Sequence, residues 1–380
     1  MLRLRRHPAQ VARGCLGLNP HPHHISRLEC EIPGAPDAGL KIGPRTVSDV
    51  ITILRYATEH SMVLQVWGGG THSGYGDPPE PDLVMSMQQI DSVERWEPDD
   101  LTIVVAAGAR VETVEAMLAE RNQSLVMPEI PGAATIGGVI AAGVSSLRRG
   151  RLYGTRERVL EVTSVTGDGR TVRSGGRVVK NVTGYDLHRL AVGAFGSLGV
   201  IVSVCLKLWP TPAGSATVDV DDLEVAARIA RPLAVVETNG RIRVYLQGTE
   251  AEVESQAERL GGHMVPELDW PVDPHGSWRW SLRVPPASTT EAVRRLPADW
   301  RYVALHGVGE LRCASDDPIG AGSMREWAES VGGHLVMTGG DPSGFDPWGA
   351  LPPSLDLQRR LIAEFDPARV INPGRLPGGL

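Results

Sequence analysis

Three glycine clusters place bare backbone where a phosphate or a flat ring could approach, because no Cβ stands in the way. The first, Trp67-Gly68-Gly69-Gly70-Thr71-His72, ends a short apolar run. The second is Pro131-Gly132-Ala-Ala-Thr135-Ile-Gly137-Gly138-Val-Ile-Ala-Ala-Gly143, followed by Ser145 and Ser146. The third, Gly193-Ala-Phe-Gly196-Ser197-Leu-Gly199-Val-Ile201, has a glycine at every third residue. The first fits neither G-x-G-x-x-G, since residue 73 is serine, nor the P-loop, since Gly-Lys-Ser/Thr is missing from the chain. Taken singly, each is as readily a tight turn as a binding loop.

Other chemistry-bearing residues are sparse. The cluster His21-Pro-His-His24 reads as exposed polar residues rather than a metal site. Cys15, Cys30, Cys205 and Cys313 are scattered, with no C-x-x-C, so they encode no zinc ribbon, iron-sulfur cluster or disulfide framework. No metal site is expected.

The elements that must position the clusters alternate between helix and strand. Thr46 and Asp49 have the form of a capping box before Val47, Val50, Ile51, Leu54 and Ala57 at helical spacing. Strands are expected at 62–67, 83–85 and 101–106, and a helix over 111–122. The uncharged run 130–147 reaches membrane-span length, but a proline and four glycines make it a loop. A strand at 159–165 turns at Gly167-Asp-Gly169 into 171–173, a short helix follows over 187–192, and a strand at 200–208 stops at Pro210.

Beyond Pro212, strands at 241–246, 278–284, 302–305, 311–313 and 334–337 alternate with helices at 250–260, 290–296 and 324–331. That mixture predicts a ferredoxin-like antiparallel sheet with helices on one face. A Pro- and Gly-rich link over 340–353 leads to a last helix, 355–365. The expected class is α+β. Its expected divisions are an irregular arm (1–40), a first domain (41–212), a second α+β cap domain (213–345), and a C-terminal helix and tail (346–380) returning to the first domain.

A chain of 380 residues, 42% hydrophobic, is long enough for two compact units. Its net charge of −7 supplies no cationic field for nucleic acid. The basic start, Met1 to Arg6, runs into His, Pro and Gln rather than an apolar segment, so no secretory signal is read and a cytoplasmic location is expected.

In their order and separations, the three clusters resemble the FAD-binding domain of the vanillyl-alcohol oxidase (PCMH-type) flavoprotein superfamily, over about residues 40–212. The resemblance implies bound FAD, held by Gly68, Gly69, Gly70, Thr71, His72, Pro131, Gly132, Thr135, Gly137, Gly138, Gly143, Ser145, Ser146, Gly199 and Ile201. Tyr153 and Gly154 stand where the family keeps a Tyr-Gly pair. Some members attach FAD to a histidine in the first turn; Thr71 occupies the matching place here, so the resemblance implies non-covalent FAD.

Within the superfamily, Gly175-Gly-Arg-Val-Val-Lys180-Asn181-Val-Thr-Gly184-Tyr185-Asp186 and the closing Asn372-Pro-Gly-Arg375 look like the glycolate oxidase group, and more narrowly its smaller FAD-binding subunit. That implies a small hydroxy acid as substrate, a catalytic FAD subunit and an iron-sulfur subunit as partners, and a location in the cytoplasm or, through partners, at the inner membrane face. The larger relatives carry a metal motif, His-x-Gly-Asp-Gly-Asn-x-His, whose counterpart here is His306-Gly-Val-Gly-Glu310-Leu-Arg312. One histidine remains and its partner is gone, so His306 and His334 are expected to be structural, and no catalytic residue is assigned. Two alternatives stay open: a self-sufficient FAD oxidase or dehydrogenase with Tyr185, His72 or His306 near the ring, and a flavin-free assembly subunit.

Overall fold

The computed structural model describes residues 23–130, 132–177 and 185–380. Pro131, most of the His21–His24 cluster and the Lys180 to Gly184 part of the group motif therefore lie outside the described residues or their side chains. Within the stretch read as an irregular arm, Ile25, Leu28 and Ile32 are buried.

Strand β1 (Leu40–Ile42) leads into helix α1 (Val47–Glu59), whose capping box forms as the sequence predicts. Asp49 N donates to Thr46 Oγ1 at 3.2 Å, and Thr46 N donates to Asp49 Oδ2 at 3.0 Å. Val50, Ile53, Leu54 and Ala57 give the helix its buried face. β2 (Leu64–Trp67) and β3 (Leu83–Ser86) complete a parallel three-stranded sheet in the order β1-β3-β2. Its open edge is covered from the far end of the chain: Leu64 N donates to Val370 O at 2.8 Å, and Asn372 N to Leu64 O at 2.9 Å.

A second sheet is antiparallel. β4 (Val93–Glu97), β5 (Thr102–Ala106), β6 (Val159–Val165), β7 (Thr171–Gly175) and β8 (Val200–Lys207) run in the order β4-β5-β8-β6-β7. Because side chains alternate along a strand, β8 serves two cores. Val200 and Val202 pack with α1 and the parallel sheet, and Ile201 with α2 (Val111–Ala119) and α3 (Ile136–Ala142).

Helix α3 corrects the loop expected over 130–147. Thr135 caps its start and Gly143, at φ +68°, ends it, while Ile136, Val139 and Ile140 form its buried stripe. The two helix-disfavouring glycines inside it hid that stripe. The 187–192 helix is instead one 3₁₀ turn, Leu187–Leu190. β4 escaped the sequence reading because its residues are mostly polar and exposed.

Residues 214–339 build one eight-stranded antiparallel sheet, and the helix Leu355–Phe365 follows it. The first half of the sheet comprises β9 (Gly214–Val220), α4 (Leu223–Ala226), β10 (Ala234–Thr238), β11 (Arg241–Gly248), α5 (Glu250–Leu260) and β12 (Met264–Val265). The second half repeats the plan with β13 (Trp278–Arg283), α6 (Thr289–Arg295), β14 (Arg301–His306), β15 (Glu310–Ser315), α7 (Ala321–Ser330) and β16 (His334–Gly339). The spatial order β12-β9-β11-β10-β14-β15-β13-β16 makes each half a ferredoxin-like βαββαβ unit, joined through their second strands. The expected sheet is thus doubled. Val244 and Leu246 face the helices, whereas Tyr245, Val236, Val303 and Leu305 pack on Leu147 and Leu152 of the first domain. Among the described residues no helix is long and apolar enough to cross a membrane.

Candidate functional site

The glycine clusters converge because each needs the others' lack of side chains. A Cβ on Gly68 would overlap Thr135 Oγ1, and one on Gly69 would overlap the Ala133 carbonyl. One on Gly137 would stand 2.7 Å from Ala107 Cβ, and one on Gly143 2.8 Å from Gly193 Cα. The third cluster is tied to the end of α3, with Gly193 N donating to Ile140 O at 3.0 Å and Phe195 N to Ala141 O at 2.8 Å.

Between them lies a cavity of about 110 Å³, lined by Gly68, Gly69, Gly70, Thr71, His72, Thr135, Gly137, Gly138 and Ile201 among the expected residues. The first amides of α3 are used internally: Ile136 N donates to Ala109 O, Gly137 N to Ala107 O and Gly138 N to Thr135 Oγ1. By contrast, among the described residues the amides of Gly69, Gly70, Thr71 and His72 donate to no acceptor within the protein. Four successive amides on a cavity wall thus remain available as donors to an anionic oxygen.

The other expected residues sit elsewhere. Gly143, Ser145 and Gly154 line an adjoining cavity of about 700 Å³. Ser146 donates to Glu129 Oε1 at 2.5 Å and is spent on that bond. Gly199, at φ +113°, opens β8 against Val165, Gly132 has nothing near it, and Tyr153 is 65% exposed; none of the three lines these cavities.

Two residues of the tail join the cradle. Asn372 Oδ1 accepts from Val66 N at 2.8 Å while its Nδ2 donates to Phe195 O at 2.6 Å, so one amide bridges β2 and the third cluster. Arg375 donates to the carbonyls of Ser73 and Tyr75. Burial lowers its pKa to about 10, so it stays charged at neutral pH. Both lie in the closing Asn372-Pro-Gly-Arg375 motif, the signal that could have marked them.

Thr71 and His72 also line a third cavity, of about 290 Å³, whose far wall belongs to the cap sheet. Arg279, Ser281 and Arg283 project from one face of β13, and Glu310 and Arg312 from β15. Arg312 pairs with Asp273 at 2.9 Å and donates to Ser145 O at 2.9 Å, stitching the cap to the first domain. Glu310 pairs with Arg149 at 2.5 Å. Burial would raise the Glu310 carboxyl, but Arg312, Arg283 and Arg149 outweigh it and hold it below the usual range. Burial likewise works against the Arg312 charge, yet Asp273 and Glu310 raise its pKa above normal. The acids are thus committed, Glu129 to Arg148 included. The Arg279 side chain has no ion pair or hydrogen bond among the described residues, and Arg283 has an unpartnered Nε with Glu310 no nearer than 4.0 Å. Two cations face the cavity with charge to spare.

His72 sits where cradle and cleft meet. Its Nδ1 is 3.0 Å from Thr71 Oγ1. Burial, then Arg312 and Arg279, lower its pKa to about 4, against an opposing pull from Asp273. Tyr75, whose ring centroid is 6.3 Å away, is pushed by burial to about 12 and keeps its proton.

His306 is held within the sheet: its Nε2 meets Glu237 Oε2 at 2.9 Å, where Tyr302 also donates to Glu237. His334 lines the 700 Å³ cavity with Arg283, and Tyr185 is 87% exposed and apart from all three cavities. At the end of the metal-motif stretch stands Arg312, a guanidinium that cannot ligate a cation. Among the described residues no group of three His, Cys, Asp or Glu could hold a metal ion.

Residues 39–175 match the family described as an FAD binding domain. The chain is 29% identical to glycolate oxidase subunit GlcE of Escherichia coli over 303 residues, 75% of this chain and 84% of that protein. It is 34% identical to D-lactate dehydrogenase of Archaeoglobus fulgidus and 35% to glycolate oxidase subunit GlcD of Bacillus subtilis. Each of those two alignments spans 47% of this chain but only 40% and 38% of the longer relatives. Among solved structures, alkyldihydroxyacetonephosphate synthase superposes with a TM-score of 0.65 at 14% identity, over 89% of this chain and 77% of that one, which shows the fold. The chain carries an FAD binding domain and is an FAD-dependent oxidoreductase.

Proposed function

We propose that the chain holds FAD non-covalently in the glycine cradle and oxidises a small 2-hydroxy acid in the cleft beneath the cap sheet, as the smaller FAD-binding subunit of a glycolate-oxidase-like complex. The observation that carries this reading is the continuity of two unlike cavities through Thr71 and His72: one walled by backbone, the other by arginines with spare charge.

The residues present fit FAD. The space that Cβ atoms on Gly68 and Gly69 would need is filled by the second cluster, so backbone forms the wall, and the free amides from Gly69 to His72 match a diphosphate. Bound FAD supplies a two-electron acceptor. The chain's own residues supply the rest. Arg279 and Arg283 hold the substrate carboxylate, Ser281 between them offers a hydroxyl, and Tyr75, protonated, donates a hydrogen bond from the first domain. The stitch from Arg312 to Ser145 keeps the cap over the cleft, limiting water. Because the cysteines are scattered, onward electron transfer falls to an iron-sulfur subunit beside a catalytic FAD subunit.

The test is the visible absorption spectrum of the purified chain. A flavin spectrum that leaves with the solvent after denaturation, and that bleaches on adding glycolate or another 2-hydroxy acid, is the expected result. Flavin that stays attached after denaturation overturns the non-covalent reading, and flavin that no 2-hydroxy acid bleaches, alone or with the partner subunits, overturns the substrate reading.

A further inference from the structure

With the relatives' metal motif interrupted, the hydroxyl proton of the substrate needs an acceptor, and each carboxylate in the cleft already serves an arginine. We propose that His72, through Nε2, is the group that takes this proton, so that the base of the reaction lies in the first glycine turn and not in the cap. The proposal rests on the hydroxy-acid reading above.

Three observations carry it. His72 and Thr71 line both the cradle and the cleft, which puts the imidazole where a cofactor in one faces a substrate in the other. The Thr71 hydroxyl engages Nδ1 and fixes the ring. Among the described residues the remaining nitrogen, Nε2, has no partner, and it is not fully buried. Of the other groups, His306 is held by Glu237, Tyr75 is protonated, and His275 lines the cleft but not the cradle.

The balance is simple. Conversion of a C2–OH to a C2 carbonyl breaks one O–H and one C–H bond. The oxygen's proton forms the Nε2–H bond of an imidazolium, the hydrogen on C2 leaves with two electrons to the bound flavin as oxidant, and the His72 proton passes to water after product leaves. The charged groups facing His72 are Arg312 on β15, Arg279 on β13 and Asp273 before β13. Burial first, and then the arginines, keep the free imidazole neutral; a carboxylate settling between the arginines offsets their part and raises its proton affinity as the substrate binds.

Two readouts test this in the flavin-loaded protein. In calorimetry at pH 5.5 in two buffers of different ionisation heat, oxalate binding to the wild type takes up protons, and in His72→Asn that uptake disappears while oxalate still binds. In stopped flow, His72→Asn bleaches with glycolate at least ~100-fold more slowly, the lower end of what general bases contribute. Thr71→Val, which keeps the imidazole and frees its orientation, gives a smaller loss of about 10-fold, and reads the role even if the asparagine variant sheds flavin. Unchanged proton uptake and unchanged bleaching in the variants overturn the role of His72 and leave the hydroxy-acid reading intact. A wild type that neither binds oxalate nor bleaches overturns both.

Discussion

The two cavities that meet at His72 are built from opposite materials. In the cradle the walls are main chain, and what fixes them is the absence of atoms: Gly68, Gly69 and Gly137 let three loops touch. In the cleft the charged walls are side chains drawn from three places, Asp273, β13 and β15, with Arg149 pairing Glu310 from outside the lining. A backbone wall has no rotamers to lose and presents its donors at fixed spacing, which suits a large invariant group such as a dinucleotide. A wall of ion pairs can be retuned one residue at a time, which suits discrimination among small acids. The difference also divides the failure modes: the cleft breaks by unbalanced charge, the cradle by added volume.

The largest effect is expected where charge is most deeply committed. Arg312→Ala leaves Asp273 unpaired, Ser145 O without its donor and Glu310 one cation short. Removing one member of such a buried network costs about 3–5 kcal/mol, read by urea denaturation. The pH dependence follows in sign. The folded-state pKa of Glu310 is below its unfolded value, so its contribution is present above about pH 4.3 and is lost as pH falls through the lower folded value. The wild type therefore loses stability below about pH 4, and Arg312→Ala, lacking the strongest of the cations that lower Glu310, loses less over that window. A variant as stable as the wild type would mean that the cleft's charges serve ligands alone.

Gly69→Ala tests the cradle by volume. Its Cβ would overlap the Ala133 carbonyl, which is backbone and cannot swing aside, so we expect about 3 kcal/mol of destabilisation and loss of flavin on gel filtration. Gly132→Ala is the control, since nothing lies within 4 Å of its added Cβ. Its φ of +85° alone costs roughly 1 kcal/mol. Equal effects from the two would show that backbone conformation, not close approach, is what the cradle's glycines provide.

The same contrast explains what the sequence made legible. The cradle's parts are local: a glycine that meets another backbone leaves its mark in its own segment, so Gly68 to Gly70 and Gly137-Gly138 stand out without any knowledge of the fold. The cleft's parts do not. Arg149, Arg279 and Arg312 look like ordinary solvated charges, and only the pairing of β13 with β15 brings the last two together. The cavity that His334 lines is equally hidden in the sequence, because it is made by residues from distant parts of the chain. Helix α5 fills the expected span 250–260, and its ends are set by local caps, Thr249 and Gly261. The strands β9 and β10 were missed because small and polar residues interrupt their apolar pattern. That the cap sheet is two ferredoxin-like units joined edge to edge is a matter of strand order, to which periodicity is blind.

Asn372 sharpens the comparison where it is weakest, since a side chain here holds a backbone site together. Its amide joins Val66 to Phe195, and so ties the first glycine turn to the third cluster from a tail more than a hundred residues away. Asn372→Ala leaves Val66 N and Phe195 O without these partners in a buried setting, an expected cost of about 2 kcal/mol by denaturation, with faster flavin loss on dilution. Asn372→Asp separates the two contacts: it keeps the acceptor for Val66 N and sets a carboxylate oxygen against the Phe195 carbonyl. If the aspartate is tolerated as well as asparagine, the tie to the third cluster is dispensable and the cradle is a local structure. If aspartate costs as much as alanine, the cradle owes its shape to the returning tail, and truncation before residue 370 will release flavin from an otherwise folded cap.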